Sequence, residues 1–173
     1  MKKDFFIALV ISGLITHLIR SVYEILKDKK ILKPGKLSFI IMFTNMMVLW
    51  ISWFLLCSND LYKIELPAMI RYAGLAISMI GGVLFLTALI TIKTLESYDG
   101  DLINTGIYSK IRHPMYLGFL CWLLGFPLFF GAYFSGLLGL LFITNILFWR
   151  SLEEKELAQR FPGYHEYKRS TWF

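Results

Sequence analysis

Residues 114–149 read PMYLGFLCWLLGFPLFFGAYFSGLLGLLFITNILFW, a run of 36 residues without a charged side chain. A single helix of this length would extend about 54 Å, whereas the hydrocarbon core of a bilayer is about 30 Å thick. The stretch from Pro127 to Tyr133 (PLFFGAY) contains Pro and Gly, which favour a turn near the middle of the run. The sequence therefore predicts two short membrane helices joined by a turn at this stretch.

Three further uncharged runs precede this one. Runs 37–59 and 72–92 each match one crossing by a helix of about 20 residues. Run 5–19 is shorter, and Arg20 can extend it by placing its charge at the membrane interface. A cleaved signal peptide is the alternative for this first run, but no small-residue cleavage site follows it. We therefore expect an all-α, polytopic integral membrane protein with about five transmembrane helices and a cytoplasmic helical tail.

The composition and the placement of charge support a membrane protein. Of the 173 residues, 57% are hydrophobic and 17% are charged, whereas soluble domains average about 45–50% and about 25%. Fourteen of the 18 Lys and Arg residues lie in segments 20–36 and 93–112 and in the tail after residue 149. The positive-inside rule places these segments in the cytoplasm and the N-terminus outside. We attribute the net charge of +6 to topology and to contact with anionic lipids, and not to nucleic-acid binding.

Two segments on the predicted cytoplasmic side carry most of the polar chemistry. The first, residues 93–118, reads KTLESYDGDLINTGIYSKIRHPMYLG. A proline directly after His113 and before an apolar run is typical of the first turn of a helix. The free amide groups and the dipole at a helix N-terminus favour an anion, so Arg112 and His113 could bind one there. They could equally be interfacial anchors, with Tyr108 and Tyr116 in an aromatic belt.

The second segment is the tail RSLEEKELAQRFPGYHEYKRSTWF, which starts at Arg150. Arg150 and Glu154 form an i,i+4 pair on one face of a helix that a Pro-Gly pair then ends. One interpretation is a solvated amphipathic helix with ordinary ion pairs. The other is that one or two of the tail glutamates point back towards Arg112 and His113.

Several glycines lie within the apolar runs. No GxGxxG motif follows a strand-like segment, so these glycines indicate close packing of helices and not a nucleotide-binding loop. The glycines are Gly81, Gly82, Gly125, Gly131, Gly136 and Gly139. No His, Cys or carboxylate cluster has the spacing of metal ligands, so we predict no metal site.

Together, the two polar segments resemble the C-terminal signature of the isoprenylcysteine carboxyl methyltransferase family. The matching elements are GIY-x4-HPMY-x-G at 106–118 and R-x2-EE-x2-L-x3-FPGY-x2-Y at 150–167. Integral-membrane phospholipid methyltransferases share much of this signature. The resemblance covers roughly residues 90–170, and the earlier helices match only in hydrophobicity. It implies one methyltransferase domain over 1–173, with a three-helix part at 1–92 and a cofactor-binding loop, hairpin and tail at 93–173.

The resemblance also implies a reaction and a set of site residues. The reaction is methyl transfer from S-adenosylmethionine, at the cytoplasmic face, to a lipophilic acceptor such as an isoprenylcysteine-like carboxylate or a lipid. The acceptor is expected to enter from the bilayer between the last spans. Arg150 is placed at the methyl-accepting group, as the catalytic and substrate-binding residue. The implied cofactor-binding residues are Gly100, Asp101, Leu102, Ile103, Tyr108, His113, Pro114, Met115, Tyr116 and Glu154. Lys93 departs from the family pattern, where relatives carry a neutral polar side chain.

Two alternatives remain open from the sequence. The sterol reductase group has a related C-terminal membrane architecture and would use NADPH, although this chain is short for its helix count. A non-catalytic membrane protein would use the loop and the tail only as anchors. Binding of S-adenosylhomocysteine or of NADPH distinguishes the three possibilities.

Overall fold

The computed structural model describes residues 2–92 and 102–173, whose regular structure is helical. The long helices are α1 (Lys2–Asp28), α2 (Lys36–Ser58), α3 (Ala68–Ile92), α4 (Pro114–Phe130) and α5 (Tyr133–Arg160). A 3₁₀ turn (Gly106–Ser109) precedes α4, and a short α6 (Tyr164–Ser170) follows α5. Helices α1, α2, α3 and α5 are long and apolar enough to cross a membrane, and α4 is a shorter apolar helix of 17 residues. The structure thus confirms an all-α polytopic membrane protein.

The outward face of the bundle is apolar. Large side chains such as Leu18, Ile51, Val83 and Ile90 are more than half exposed. In water this surface would be an aggregation hazard, whereas a bilayer solvates it. Helices suit this setting because each satisfies its backbone hydrogen bonds internally.

Helices α3 and α4 pack closely through glycines. A Cβ atom added at Gly81 would lie 2.7 Å from the carbonyl oxygen of Gly118, and one at Gly125 would lie 2.6 Å from the carbonyl oxygen of Gly74. Small residues allow such close approach of two helix backbones in a membrane. The predicted packing role is therefore confirmed for Gly81 and Gly125, but Gly82 has no neighbour within 4 Å of its Cβ position.

The predicted turn in the run 114–149 is present, but it is shorter than expected. Helix α4 continues through Pro127 to Phe130, so the expectation that Pro127 belongs to the turn is wrong. The turn consists of Gly131, which has a left-handed φ of 64°, and Ala132. A side chain at Gly131 would also collide with the carbonyl oxygen of Ile64. A proline inside a membrane helix is tolerated where its neighbours satisfy the freed backbone groups.

The helices alternate in direction, which gathers the charged ends of α1 and α5 at one end of the bundle. Lys27 Nζ lies 3.0 Å from Glu156 Oε2, and Lys155 Nζ lies 2.9 Å from Asp28 Oδ1. At the opposite end the ring of Phe6 packs on that of Phe134, 5.4 Å between centroids. The start of α4 and the tail belong to the charged end, where the sequence predicts the cytoplasm.

Candidate functional site

A cavity of about 380 Å³ opens at the charged end of the bundle. All five long helices contribute to its walls, together with the loop before α4 and the tail. Six of the residues implied by the family resemblance line it: Leu102, Ile103, Tyr108, His113, Met115 and Tyr116. The loop and the start of α4 therefore face one common space. This volume lies within the range of about 300–1,000 Å³ typical of small-molecule sites.

The cavity has an apolar part and a charged part. The apolar wall comes mainly from α2, α3 and α4, through Met42, Met46, Trp50, Phe85 and Phe119. The charged part comes from α1 and α5, through Arg20, Glu24, Lys27, Glu153 and Glu156. Such a space can hold a molecule that has a polar end and an apolar end.

Pro114 and His113 shape the start of α4. Pro114 is the first residue of the helix, is fully buried and does not line the cavity. His113 precedes it, is buried, and accepts a hydrogen bond at its carbonyl from Leu117 N–H. The His113 Nε2 atom lies 3.4 Å from Glu154 Oε1, which holds the ring in place. The ring itself forms part of the cavity wall.

Glu154 is surrounded by positive groups. Its carboxylate accepts a hydrogen bond from Lys168 Nζ at 2.6 Å. Its Oε1 atom lies 3.4 Å from Arg112 Nε and 3.3 Å from Arg150 Nη2. The expectation that a tail glutamate points back towards Arg112 and His113 is therefore confirmed. Positive neighbours favour the ionised form of a carboxylate.

Arg150 and Glu154 do not line the cavity. The guanidinium group of Arg150 stacks over the ring of Phe173, 4.3 Å from its centroid, and bonds to Glu154. Direct contact of either residue with a ligand stays a prediction.

The tail is held against the loop by several hydrogen bonds. Arg112 Nη1 donates to the carbonyl oxygens of Thr171 at 2.6 Å and Lys168 at 2.9 Å. The hydroxyl of Tyr167 donates to the carbonyl of Tyr108 at 2.7 Å. Burial raises the pKa of Tyr167 to about 12, so this hydroxyl remains a donor at neutral pH. Arg112 thus ties the tail to the start of α4.

The aromatic-belt interpretation of Tyr108 and Tyr116 is wrong. Both side chains are buried and face the cavity, whereas a belt would place them against lipid headgroups. Two other implied cofactor residues, Gly100 and Asp101, lie outside the described residues, as does Lys93.

The contribution of α1 to the cavity differs from the expectation based on the sequence. We expected Arg20 to reach the membrane interface, but its side chain is only 13% exposed, faces the cavity and forms an ion pair with Glu24. Glu153, which the resemblance did not select, also lines the cavity. The signal was present in the sequence, because charged residues within a membrane helix face the protein interior and mark functional sites.

Comparison with known proteins identifies related sequences. The sequence profile of a family described as phospholipid methyltransferase matches residues 69–163. A protein-S-isoprenylcysteine O-methyltransferase from Saccharomyces cerevisiae is 37% identical over 84 residues, which cover 44% of this chain and 33% of the relative. The enzyme of the same name from Schizosaccharomyces pombe is 33% identical over 75 residues, which cover 42% of this chain and 32% of the relative. The matched part is about a third of the length of these curated relatives. No solved structure matches the chain.

Proposed function

Because this chain belongs to the phospholipid methyltransferase family, we propose that it transfers a methyl group from S-adenosylmethionine to a lipophilic acceptor at the cytoplasmic membrane face. One observation carries the proposal. The loop and the start of α4, which hold the family signature, line a cavity that is charged on one side and apolar on the other. A soluble cofactor and a lipid-soluble acceptor need such a shared space.

The residues around the cavity suit S-adenosylmethionine. This cofactor supplies an electrophilic methyl group on a sulfonium cation, next to an ammonium and a carboxylate. The carboxylates of Glu153 and Glu156 line the cavity and complement positive charge. The ring of His113, which Glu154 orients, lines the same cavity and can pack against the cofactor. The residues present therefore fit the cofactor.

Each implied residue has a place in this proposal. Leu102, Ile103, Tyr108, Met115 and Tyr116 form the wall against which the cofactor packs. His113 contacts the cofactor, and Pro114, which directly follows it, restricts the backbone of His113. Gly100 and Asp101 would extend the same wall from the loop. We keep Glu154 as a cofactor contact and Arg150 as an acceptor contact, both to be tested as described below.

The chemistry demands positioning more than acid–base catalysis. Methyl transfer is an in-line displacement, and holding the two reacting groups together supplies much of the rate enhancement. A carboxylate acceptor has a pKa near about 4 and is already ionised at pH 7. No strong general base is then required, and what the walls must do is exclude water and align the two ligands.

The acceptor is expected to enter from the bilayer. The sequence predicts access between the last spans, whereas we propose access on the side of α2. Phe43 and Met47 of α2 are exposed and line the cavity, and Phe85 of α3 also lines it. Since α3 packs along α4 and α2 packs along α1, a lipid tail can pass between α2 and α3.

The proposal can be tested with purified protein in lipid nanodiscs. Incubation with labelled S-adenosylmethionine and a total lipid extract should give a labelled lipid, which mass spectrometry identifies. Calorimetry should show binding of S-adenosylhomocysteine, and His113→Ala should weaken it. His165→Ala is the matched control, because His165 is exposed on α6. Affinity for NADPH without affinity for S-adenosylhomocysteine would favour the reductase alternative and refute the proposal.

A further inference from the structure

We propose that Arg20 of α1, oriented by Glu24, binds the anionic headgroup of the lipophilic acceptor inside the cavity. The inference rests on the proposed function, since it concerns the acceptor in that same site. It assigns a role to the first helix, which lies outside the family match at residues 69–163. The headgroup that Arg20 binds would be an oxyanion, either a carboxylate or a phosphate.

The position of Arg20 places its charge inside the bundle. Arg20 lies eight residues before the end of α1 at Asp28, which corresponds to about 12 Å along the helix. Its side chain is 13% exposed and that of Glu24 is 6% exposed, and the two form an ion pair one turn apart. A buried pair of this kind is costly in a membrane protein, and such residues mark the paths of polar substrates.

The side chain of Arg20 is held by its neighbours and also lines the cavity. Its guanidinium group pairs with Glu24 and makes a hydrogen bond with Tyr116. The group is held beside the rings of Tyr23 and Trp149, at 5.6 and 5.9 Å from their centroids. It is therefore oriented before any ligand binds. A planar guanidinium matches a carboxylate or a phosphate, because it can donate two parallel hydrogen bonds.

The register between α1 and α2 places Arg20 beside the apolar wall. Asn45 Nδ2 of α2 donates to the carbonyl oxygen of Thr16 at 3.0 Å, so these residues lie at one level. The two helices are antiparallel. Arg20, one turn further along α1, therefore lies near the level of Met42, which is about one turn back along α2. An acceptor whose headgroup meets Arg20 can thus place its apolar chain along Met42 and Met46, which line the same cavity.

The charge of Arg20 lies where two ligands would meet. Glu153 approaches the hydroxyl of Tyr116 on the α4 wall, where we propose that the cofactor binds. Arg20 makes a hydrogen bond with the same tyrosine and lies near Glu153. Lys27 is already paired with Glu156 at 3.0 Å. An acceptor headgroup bound by Arg20 therefore lies next to the cofactor.

Arg20 is not needed to join α1 to α5 by an ion pair. Two ion pairs already do so, namely Lys27 with Glu156 and Asp28 with Lys155. The second of these pairs lies outside the cavity lining, and the Lys155 side chain is 55% exposed. Lys155→Gln therefore removes a bridge between α1 and α5 without changing the cavity, and it is the matched control.

The test measures binding and does not depend on turnover. Calorimetry in detergent compares N-acetyl-S-farnesylcysteine, its carboxamide analogue and farnesyl phosphate. We expect the unmodified protein to bind at least one of the two oxyanion probes about tenfold more tightly than the carboxamide, the usual effect of one charged hydrogen bond. Arg20→Gln should abolish this preference, and Lys155→Gln should retain it. The probe whose preference depends on Arg20 identifies the carboxylate or the phosphate as the headgroup.

The outcomes separate this inference from the proposed function. An oxyanion preference that survives Arg20→Gln, or its absence in the unmodified protein, overturns the inference even where methyl transfer to lipids is observed. An Arg20-dependent preference in a protein that transfers no methyl group overturns the proposed function instead. Arg20→Lys keeps the charge but loses the planar group, so it should retain a reduced preference. Unchanged affinity for the carboxamide analogue in each variant shows that the fold is intact.

Discussion

Gly81 should be essential to the packing of α3 on α4, whereas its neighbour Gly82 should not. An added Cβ atom at Gly81 would lie 2.7 Å from the carbonyl oxygen of Gly118 and 2.8 Å from Cys121 Cβ. Ordinary van der Waals contact begins near 3.4 Å, so α4 would have to move by about 0.7 Å. At Gly82 no atom lies within 4 Å of the added carbon.

These distances set the expected free energies. Overpacking costs about 1–3 kcal/mol, whereas replacing Gly by Ala within a helix gains up to about 1 kcal/mol. We therefore expect Gly81→Ala to lower the free energy of unfolding by about 1–2 kcal/mol. Gly82→Ala should leave it unchanged or raise it by up to about 1 kcal/mol.

Thermal unfolding in detergent, followed with a thiol-reactive dye, measures the difference. In a Cys121→Ser background the dye reports on Cys57, which is fully buried and becomes reactive only when the bundle opens. For a chain of this size Gly81→Ala should lower the Tm by about 2–8 °C. It should also weaken binding of S-adenosylhomocysteine, because α4 carries His113 and Tyr116 at its start. Equal Tm values for Gly81→Ala and Gly82→Ala would refute the close approach of the two helices.

Three further predictions concern the charged end of the molecule. Glu154→Gln should weaken S-adenosylhomocysteine binding several-fold, whereas Arg150→Lys should mainly raise the KM for the acceptor. An equal loss of cofactor affinity in both variants would contradict this division of roles. Tyr167→Phe removes the hydrogen bond to the Tyr108 carbonyl and should lower the free energy of unfolding by about 1 kcal/mol, and an unchanged Tm would show that this bond does not hold the tail. A membrane-impermeant maleimide should label Ser170→Cys only from the cytoplasmic side, and labelling of intact cells from outside would reverse the predicted topology.

Most of the helices could be predicted from the absence of charge. Runs 37–59 and 72–92 correspond to α2 (Lys36–Ser58) and α3 (Ala68–Ile92), because a charge within hydrocarbon is so costly that it marks the ends of a span. Pro127 shows where this reasoning fails. A proline ends a helix in water, but its place in a membrane helix depends on tertiary contacts, which periodicity does not report.

Only part of the site could be predicted, for two physical reasons. The resemblance begins near residue 90, so it could not assign roles to Arg20 and Glu24. Glu153 and Glu154 are adjacent on a helix and therefore point in different directions, about 100° apart. The packing of α5, with Ile146 and Trp149 buried, turns Glu153 towards the cavity and Glu154 towards the cations of the tail.

Glu154 does not line the cavity, but it can still affect a ligand that binds there. Glu154 joins α5 to Arg112 and His113 and, through Lys168, to the tail. Its loss would leave Arg112, Arg150 and Lys168 without a counter-charge and would release the ring of His113, which lines the cavity. Weaker cofactor binding in Glu154→Gln is therefore expected from repulsion alone, even without a direct contact. Lys168→Gln removes the exposed partner of Glu154 but leaves the carboxylate in place. Normal binding of S-adenosylhomocysteine by this variant, together with weaker binding by Glu154→Gln, would support a direct contact between Glu154 and the cofactor.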